Sequence, residues 1–236
     1  MTVLGLDTAT ADAAVAVTRD GEPVREVSVP PGPDGRPRHS QVLLPEIELC
    51  VEASGGWDAI ERIAVGIGPG SFTGLRIGIA TARALSQARS IPLAAVGTLA
   101  ALAKAIETHP SSDADPTLPV LDARRGEAFA ALYSPDGAEV WPPLVASPEE
   151  LAARVKELDS SPRAAGDGAL RFAEELEAAG ATVAPPEDQI HRIAARHVCA
   201  LGEAAPEASA EQIEPLYLRP PDAKRWLERD RQDPGA

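Results

Sequence analysis

The chain has 236 residues, long for one simple domain and comfortable for two small lobes. Its 22 basic and 36 acidic side chains leave a formal charge of −14, which repels a phosphate backbone and argues against nucleic-acid binding by the chain alone. The acid excess sits mostly in the second half, with 9 basic against 12 acidic side chains in residues 1–110 and 13 against 24 in 111–236. Aromatic residues make up only 3%, so the core must be built from Ala, Val, Leu and Ile. Two cysteines, Cys50 and Cys199, are too few for a disulfide framework or a zinc site. Met1 runs straight into Val3-Leu4-Gly5-Leu6, without the basic and apolar regions of a signal peptide. No apolar run approaches the roughly 20 residues of a membrane span. The expectation is a cytoplasmic protein with no membrane partner.

In chain order, Val3–Leu6 and Ala13–Val17 read as short strands, and Asp20-Gly21 as a hairpin turn into a third strand near Val24–Val29. Residues 30–38, rich in Pro and Gly, form a loop. Ser40 is placed to cap a helix through Ala53 that carries Leu43, Leu44, Ile47 and Val51 on one face and Pro45 in its first turns. Ile63–Ile67 is a buried-strand candidate. After Gly68-Pro69-Gly70 comes a helix over Phe72–Arg89, then a strand over Ile91–Val96 and a helix over Leu99–Thr108. Such alternation of strand and helix implies parallel pairing. His109–Pro116 reads as a linker between lobes.

The second half repeats the first. Leu4–Asp7, Ala14–Val17 and Asp20-Gly21 match Pro119–Asp122, Ala128–Tyr133 and Asp136-Gly137, and the spacing from strand Asp to turn Asp is 13 residues in one copy and 14 in the other. Helices follow near Pro148–Leu158, Gly168–Ala179 and Gln189–Gly202. These patterns divide the chain into an N-terminal lobe (1–109), a C-terminal lobe (110–220) and a frayed tail (221–236).

Three constellations carry possible chemistry. Asp7 with Thr8 and Thr10 supplies a carboxylate and hydroxyls at a strand end, and Gly68-Pro69-Gly70-Ser71 supplies backbone N–H groups at a helix N-terminus. Together they could hold a phosphate, or they could be a tight turn and nothing more, since neither GxGxxG nor a P-loop lysine is present. Gly74, Gly78 and Ala82 strip one face of the Phe72–Arg89 helix of bulk, with Leu75, Ile79 and Leu85 flanking it. That stripe suits packing on the chain's own sheet or a helix of another molecule equally well. His39, His109, His191 and His197 contain no pair at i, i+4, so no zinc ligand set of the HxxxH kind exists. The charges of Asp122–Glu127 read most simply as a solvated turn.

Leu4–Thr10, His39–Pro45, Gly66–Gly78, Val96–Leu102, Leu121–Glu127 and Glu214–Arg219 together resemble the bacterial TsaB (YeaZ) family, over about residues 2–220. The run Gly68-Pro69-Gly70-Ser71-Phe72-Thr73-Gly74-Leu75-Arg76-Ile77-Gly78 is the most specific of these. The resemblance implies an α/β, two-lobed, actin-like and Hsp70-like (ASKHA) fold, each lobe a mixed sheet with helices in duplicated βββαβαβα-type units. It also implies a role in forming N6-threonylcarbamoyladenosine at position 37 of ANN-decoding tRNAs, as a non-catalytic partner of TsaD with TsaE in the ternary complex, and as a homodimer when alone. Contact with tRNA would come only through that complex. TsaD-like proteins carry a His-x-x-x-His metal pair just after the strand ending here at Val96, where this chain has Gly97-Thr98-Leu99-Ala100-Ala101. The resemblance therefore implies a pseudoenzyme without metal or cofactor of its own, with ATP or ADP at or near the partner interface.

By the same resemblance the partner surface lies on the helices near 40–53 and 72–89, with Leu43, Leu44, Ile47, Leu75, Ile79, Ala82 and Arg83 as contacts. A nucleotide would lie near Asp7, Thr10, Gly68, Gly70 and Ser71. The competing expectation is a stand-alone ATPase or small-molecule kinase of the same fold, using Asp7 and Asp122 across the cleft.

Overall fold

The computed structural model describes residues 1–109 and 115–219. Most of the proposed linker and the whole proposed tail lie outside the described residues.

The first sheet contains β1 (Thr2–Asp7), β2 (Ala13–Arg19), β3 (Glu22–Val29), β4 (Arg62–Gly66) and β5 (Leu93–Val96) in the order β3-β2-β1-β4-β5. The hairpins β1–β2 and β2–β3 are antiparallel, and β1–β4 and β4–β5 are parallel. β1 and β4 are buried along their whole length, which explains why they read as apolar runs rather than alternating ones. The β2–β3 turn holds Asp20 at φ 52° and Gly21 at φ 83°, the left-handed pair of a tight two-residue hairpin.

The second sheet repeats the plan. β6 (Thr117–Arg124), β7 (Glu127–Tyr133), β8 (Glu139–Ala146), β9 (Arg163–Ala165) and β10 (Thr182–Val183) lie in the order β10-β9-β6-β7-β8. Again two antiparallel pairs follow the first strand and two parallel pairs flank it on the other side. The duplication seen in the sequence is therefore a duplication of topology.

Helices α1 (His39–Ala53) and α2 (Phe72–Arg89) cover the outer face of the first sheet through Leu43, Ile47, Val51, Ile79 and Ala82 packed on Leu4, Leu6, Val15 and Ile63. On the outer face of the second sheet, α4 (Pro148–Lys156), α5 (Asp167–Arg171) and α6 (Ala173–Ala178) bring Leu151, Val155, Phe172 and Leu176 onto Leu118, Val120 and Leu132. Between the sheets lie α3 (Thr98–Glu107) and α7 (Ala195–Ala204), whose Leu99, Leu102, Val198 and Cys199 join Val3, Ala16 and Ala64 on one side to Leu121, Phe129 and Tyr133 on the other. Helix α7 follows the second sheet in sequence yet packs on the first. The buried Arg62 guanidinium fixes it there, donating 3.0 Å hydrogen bonds to the carbonyls of Gly202, Glu203 and Ala205 at its C-terminal end. Among the described residues no helix is long and apolar enough to cross a membrane.

Several local expectations change. Helix α1 starts at His39, with Arg38 at the cap position and no side-chain cap. The buried His39 ring lies 3.2 Å from the Asp12 carbonyl, and this contact, not Ser40, anchors the helix start. The helix expected over Gly168–Ala179 breaks at Phe172 (φ −114°, ψ 30°), whose ring is buried in the outer core. Gln189–His191 is a single 3-10 turn, and α7 begins only at Ala195, because Ile190, His191 and Ile193 are each drawn inward. The His191 ring nitrogens sit 3.0–3.2 Å from the carbonyls of Gly166, Ala184 and Pro185.

Candidate functional site

Asp7 ends β1 and is buried. Its Oδ1 accepts the Ala9 N–H at 2.7 Å and its Oδ2 accepts the Thr98 hydroxyl at 2.8 Å. Thr98 Oγ1 in turn accepts the Gly68 N–H at 3.2 Å. Gly66 must be glycine, because a Cβ there would stand 1.9 Å from Asp7 Oδ2. Burial pushes the Asp7 carboxyl up to about 6, against the pull of the Ala9 and Thr98 hydrogen bonds.

The neighbouring loops are zipped together. The Ser71 N–H donates to the Ala9 carbonyl at 2.7 Å, and the Thr8 hydroxyl donates to the Gly74 carbonyl at 2.8 Å. A Cβ on Gly70 would meet the Ala9 oxygen at 2.4 Å, one on Gly74 the Thr8 oxygen at 2.0 Å, and one on Gly78 the Thr8 hydroxyl at 2.3 Å. The glycine stripe of α2 is thus the surface on which the 7–10 loop lies.

These contacts alter the nucleotide expectation. Thr10, Gly70 and Ser71 line the cleft between the lobes, but Asp7 and Gly68 lie behind it and are both committed to Thr98. Of the expected nucleotide residues, Thr10, Gly70 and Ser71 thus face the cleft and Asp7 and Gly68 do not. The Ser71 N–H, one of the backbone donors expected there, is given to the Ala9 carbonyl.

The cleft itself has a volume of about 290 Å³. Its first-lobe wall is Ala9–Ala11 and Gly70–Thr73, its second-lobe wall Leu121–Arg124, Phe129 and Asp167, and Leu216–Arg219 runs along its mouth. Asp122 lies on the second wall. Its Oδ2 accepts Arg171 Nη1 at 2.8 Å and lies 3.4 Å from Arg124 Nη1, while its Oδ1 accepts the Arg124 N–H at 2.8 Å. Asp167 Oδ1 accepts the Asp122 N–H at 2.9 Å. Asp7 and Asp122, the pair a kinase would use across the cleft, are therefore both engaged by the chain's own groups. Among the described residues no cluster of three or more His, Cys, Asp or Glu side chains converges.

The expected partner surface also divides. Leu43, Ile47, Leu75, Ile79 and Ala82 are buried in the chain's own core, because the apolar faces of α1 and α2 are consumed by the first sheet. They cannot touch a partner without unfolding. Leu44 is the exception, 58% exposed beside Pro45; Leu49, 44% exposed, lies five residues on and about 140° round the helix, so the two do not share a face. Arg83 is spoken for, donating to the Ile213 carbonyl at 2.7 Å. Sequence reasoning missed Thr98 as the partner of Asp7 and missed Tyr217 and Arg219 at the cleft mouth. Both belong to the recognisable runs Val96–Leu102 and Glu214–Arg219, which is the signal that could have found them.

Residues 34–202 match a family model described as TsaD, tRNA N6-adenosine threonylcarbamoyltransferase. The tRNA threonylcarbamoyladenosine biosynthesis protein TsaB of Escherichia coli (strain K12) is 29% identical over 230 residues, covering 93% of this chain and 95% of that protein. The chain belongs to the TsaB (YeaZ) family. An uncharacterised protein of Mycobacterium tuberculosis (strain H37Rv) is 32% identical, with 94% of each chain covered. Among solved structures, YeaZ from Pseudomonas aeruginosa superposes with a TM-score of 0.77 at 27% identity, covering 92% of this chain and 99% of that one. A ROK hexokinase from Thermus thermophilus, at TM-score 0.52 and 15% identity, shares the actin-like fold with the TsaB family and shows the fold alone.

Proposed function

We propose that this chain serves in forming N6-threonylcarbamoyladenosine in tRNA, as a non-catalytic partner of the threonylcarbamoyltransferase TsaD. The observation that carries the reading is the near full-length match to TsaB proteins named for that pathway. Two features of the site support it. Where the resemblance puts a metal-binding histidine pair in TsaD, α3 begins Thr98-Leu99-Ala100-Ala101-Leu102, and Thr98, Leu99, Ala101 and Leu102 are packed inside. Asp7 and Asp122, the carboxylates a kinase of this fold would use across the cleft, are both tied to the chain's own donors.

In this reading the partner docks on the outward side of α1 and α2, around Leu44, and the same surface forms the homodimer when TsaD is absent. TsaE joins the assembled pair, ATP or ADP is held at or near the partner interface, and tRNA is met only by the complex.

The test is reconstitution of tRNA modification from TsaD, TsaE and threonylcarbamoyl-adenylate synthase, with and without this chain. Modification should require it. A Leu44→Asp variant should keep its melting temperature yet lose both co-elution with TsaD and modification. Full-rate modification without the chain would overturn the proposal.

A further inference from the structure

The two lobes share an apolar layer at the back, but the front of the cleft is held differently. Among the described residues, no hydrogen bond joins loops 9–11 and 70–73 of the first lobe to residues 121–124 or Asp167 of the second. One short segment bridges that gap. On the first-lobe side, the Leu216 N–H donates to the Ile67 carbonyl at 2.7 Å, and the Tyr217 ring lies 5.1 Å from that of Phe72. Arg76 stacks over Phe72 at 3.9 Å and donates from Nε to the Tyr217 hydroxyl at 3.1 Å. Two residues later the chain grips the opposite wall. Arg219 donates to the Ala123 carbonyl and to the Glu127 carboxylate, and its guanidinium lies 5.9 Å from the Phe129 ring centre. Leu218, between the two grips, packs against the shared interlobe core.

We propose that Leu216–Arg219 is a latch that sets the separation of the two lobes at the mouth of the cleft. The backbone from Leu216 to Arg219 reaches at most about 10 Å, so while both grips hold, that length and the two gripping side chains limit how far the walls can part. The second grip lands on a turn that needs holding. Arg124, Arg125 and Gly126 all lie in the left-handed region, at φ 63°, 57° and 80°. Two successive arginines stay there only when their neighbours fix them. Arg219 holds Ala123, just before the run 124–126, and Glu127, just after it. Release of Arg219 frees the strap and the turn together, and the cleft opens about the shared layer formed by α3 and α7. The charged turn from Asp122 to Glu127 thereby gains a role inside the molecule: it is the keeper of the latch.

The experiment uses the full chain with spin labels at Gln41→Cys on α1 and Glu174→Cys on α6, both exposed sites, while the native Cys50 and Cys199 are buried and unreactive. In the wild type the distance distribution between the labels should be narrow. Arg219→Ala should add a longer-distance population. It should also speed amide exchange in both 122–127 and 214–219 by roughly tenfold or more, the size expected from losing charge-assisted hydrogen bonds, with exchange in β1 and β4 unchanged. An unchanged distance distribution, or faster exchange confined to 214–219, would overturn the latch. If Arg219→Ala does not fold, Tyr217→Ala frees the other end and is read by the same criteria. Tyr217→Phe, which keeps the ring on Phe72 and loses only the hydroxyl, should open the cleft less than Tyr217→Ala. Equal opening by both would also count against the ring as the first-lobe grip.

Discussion

Asp7 and Asp122 occupy the same place in the two copies of one topology, each near the end of the first strand of its sheet, and they live in opposite chemical surroundings. Asp7 is sealed among neutral donors, a backbone N–H and a threonine hydroxyl, and burial raises its carboxyl to about 6. Asp122 meets two guanidiniums that reach it from solvent, with the Arg171 and Arg124 side chains 46% and 73% exposed. Duplication preserved the strand order and the carboxylate but not what the carboxylate does. One became a strut that ties β1 to the start of α3; the other became part of a polar wall. Gly166 and Gly168 approach the end of β6 as closely as Gly66 and Gly70 approach the 7–9 loop, so the backbones match and the difference lies in the side chains: Thr98 meets Asp7, and Arg124 and Arg171 meet Asp122.

The comparison can be broken most violently at Gly74. A methyl there must displace the Thr8 carbonyl, 2.0 Å from where the Cβ would stand, so Gly74→Ala should cost about 3 kcal/mol or more in urea unfolding. Next comes Asp7→Ala, which strands the buried Ala9 N–H and Thr98 hydroxyl and should cost about 2–3 kcal/mol.

A pH series sharpens the same point. Asp7 titrates higher in the folded chain than an ordinary aspartate at 3.8, so between about pH 4 and 6 the native state holds a proton that the unfolded state has lost. Its contribution to stability therefore falls as pH rises through that window. His197, buried in the interlobe layer, runs the other way. Burial lowers it to about 4 from 6.5, so the unfolded state binds the extra proton and stability rises with pH between about 4 and 6.5. The two slopes oppose each other. Relative to wild type, Asp7→Asn should tilt the pH 4–6 stability profile upward and His197→Gln should tilt it downward, read by chemical denaturation at four or five pH values. The smallest effect belongs to Asp122→Ala. Its arginine partners regain water, and the loss should stay under about 1 kcal/mol. If Asp122→Ala costs as much as Asp7→Ala, the contrast between the two copies is wrong.

Strands β1, β2, β6 and β7 were legible because burial on both faces leaves continuous Val, Ala and Leu runs, while β3 and β8, exposed or half-buried along most of their length, were read from the Asp-Gly turns that precede them. β9 and β10 were not, since three and two residues carry no periodicity. Helix faces were legible as apolar, but periodicity cannot say what covers an apolar face. Leu43, Ile47, Leu75, Ile79 and Ala82 looked available and are core, while Leu44, one residue out of step, is the one that is exposed. The Asp7 site was half legible. Its strand-end carboxylate stands out in the sequence, but the hydroxyl that completes it comes from Thr98, 91 residues away, and no local pattern links the two.

Helix α7 has a consequence for how this protein is made. The first sheet has all its strands once Val96 has been synthesised, yet the helix that covers its inner face ends at Ala204, about a hundred residues later. At roughly 5–20 residues per second, the ribosome would leave that face bare for on the order of 5–20 s. Neither half should therefore be recovered in good yield when expressed alone, and the nascent first half is a natural client for chaperones that bind apolar surface.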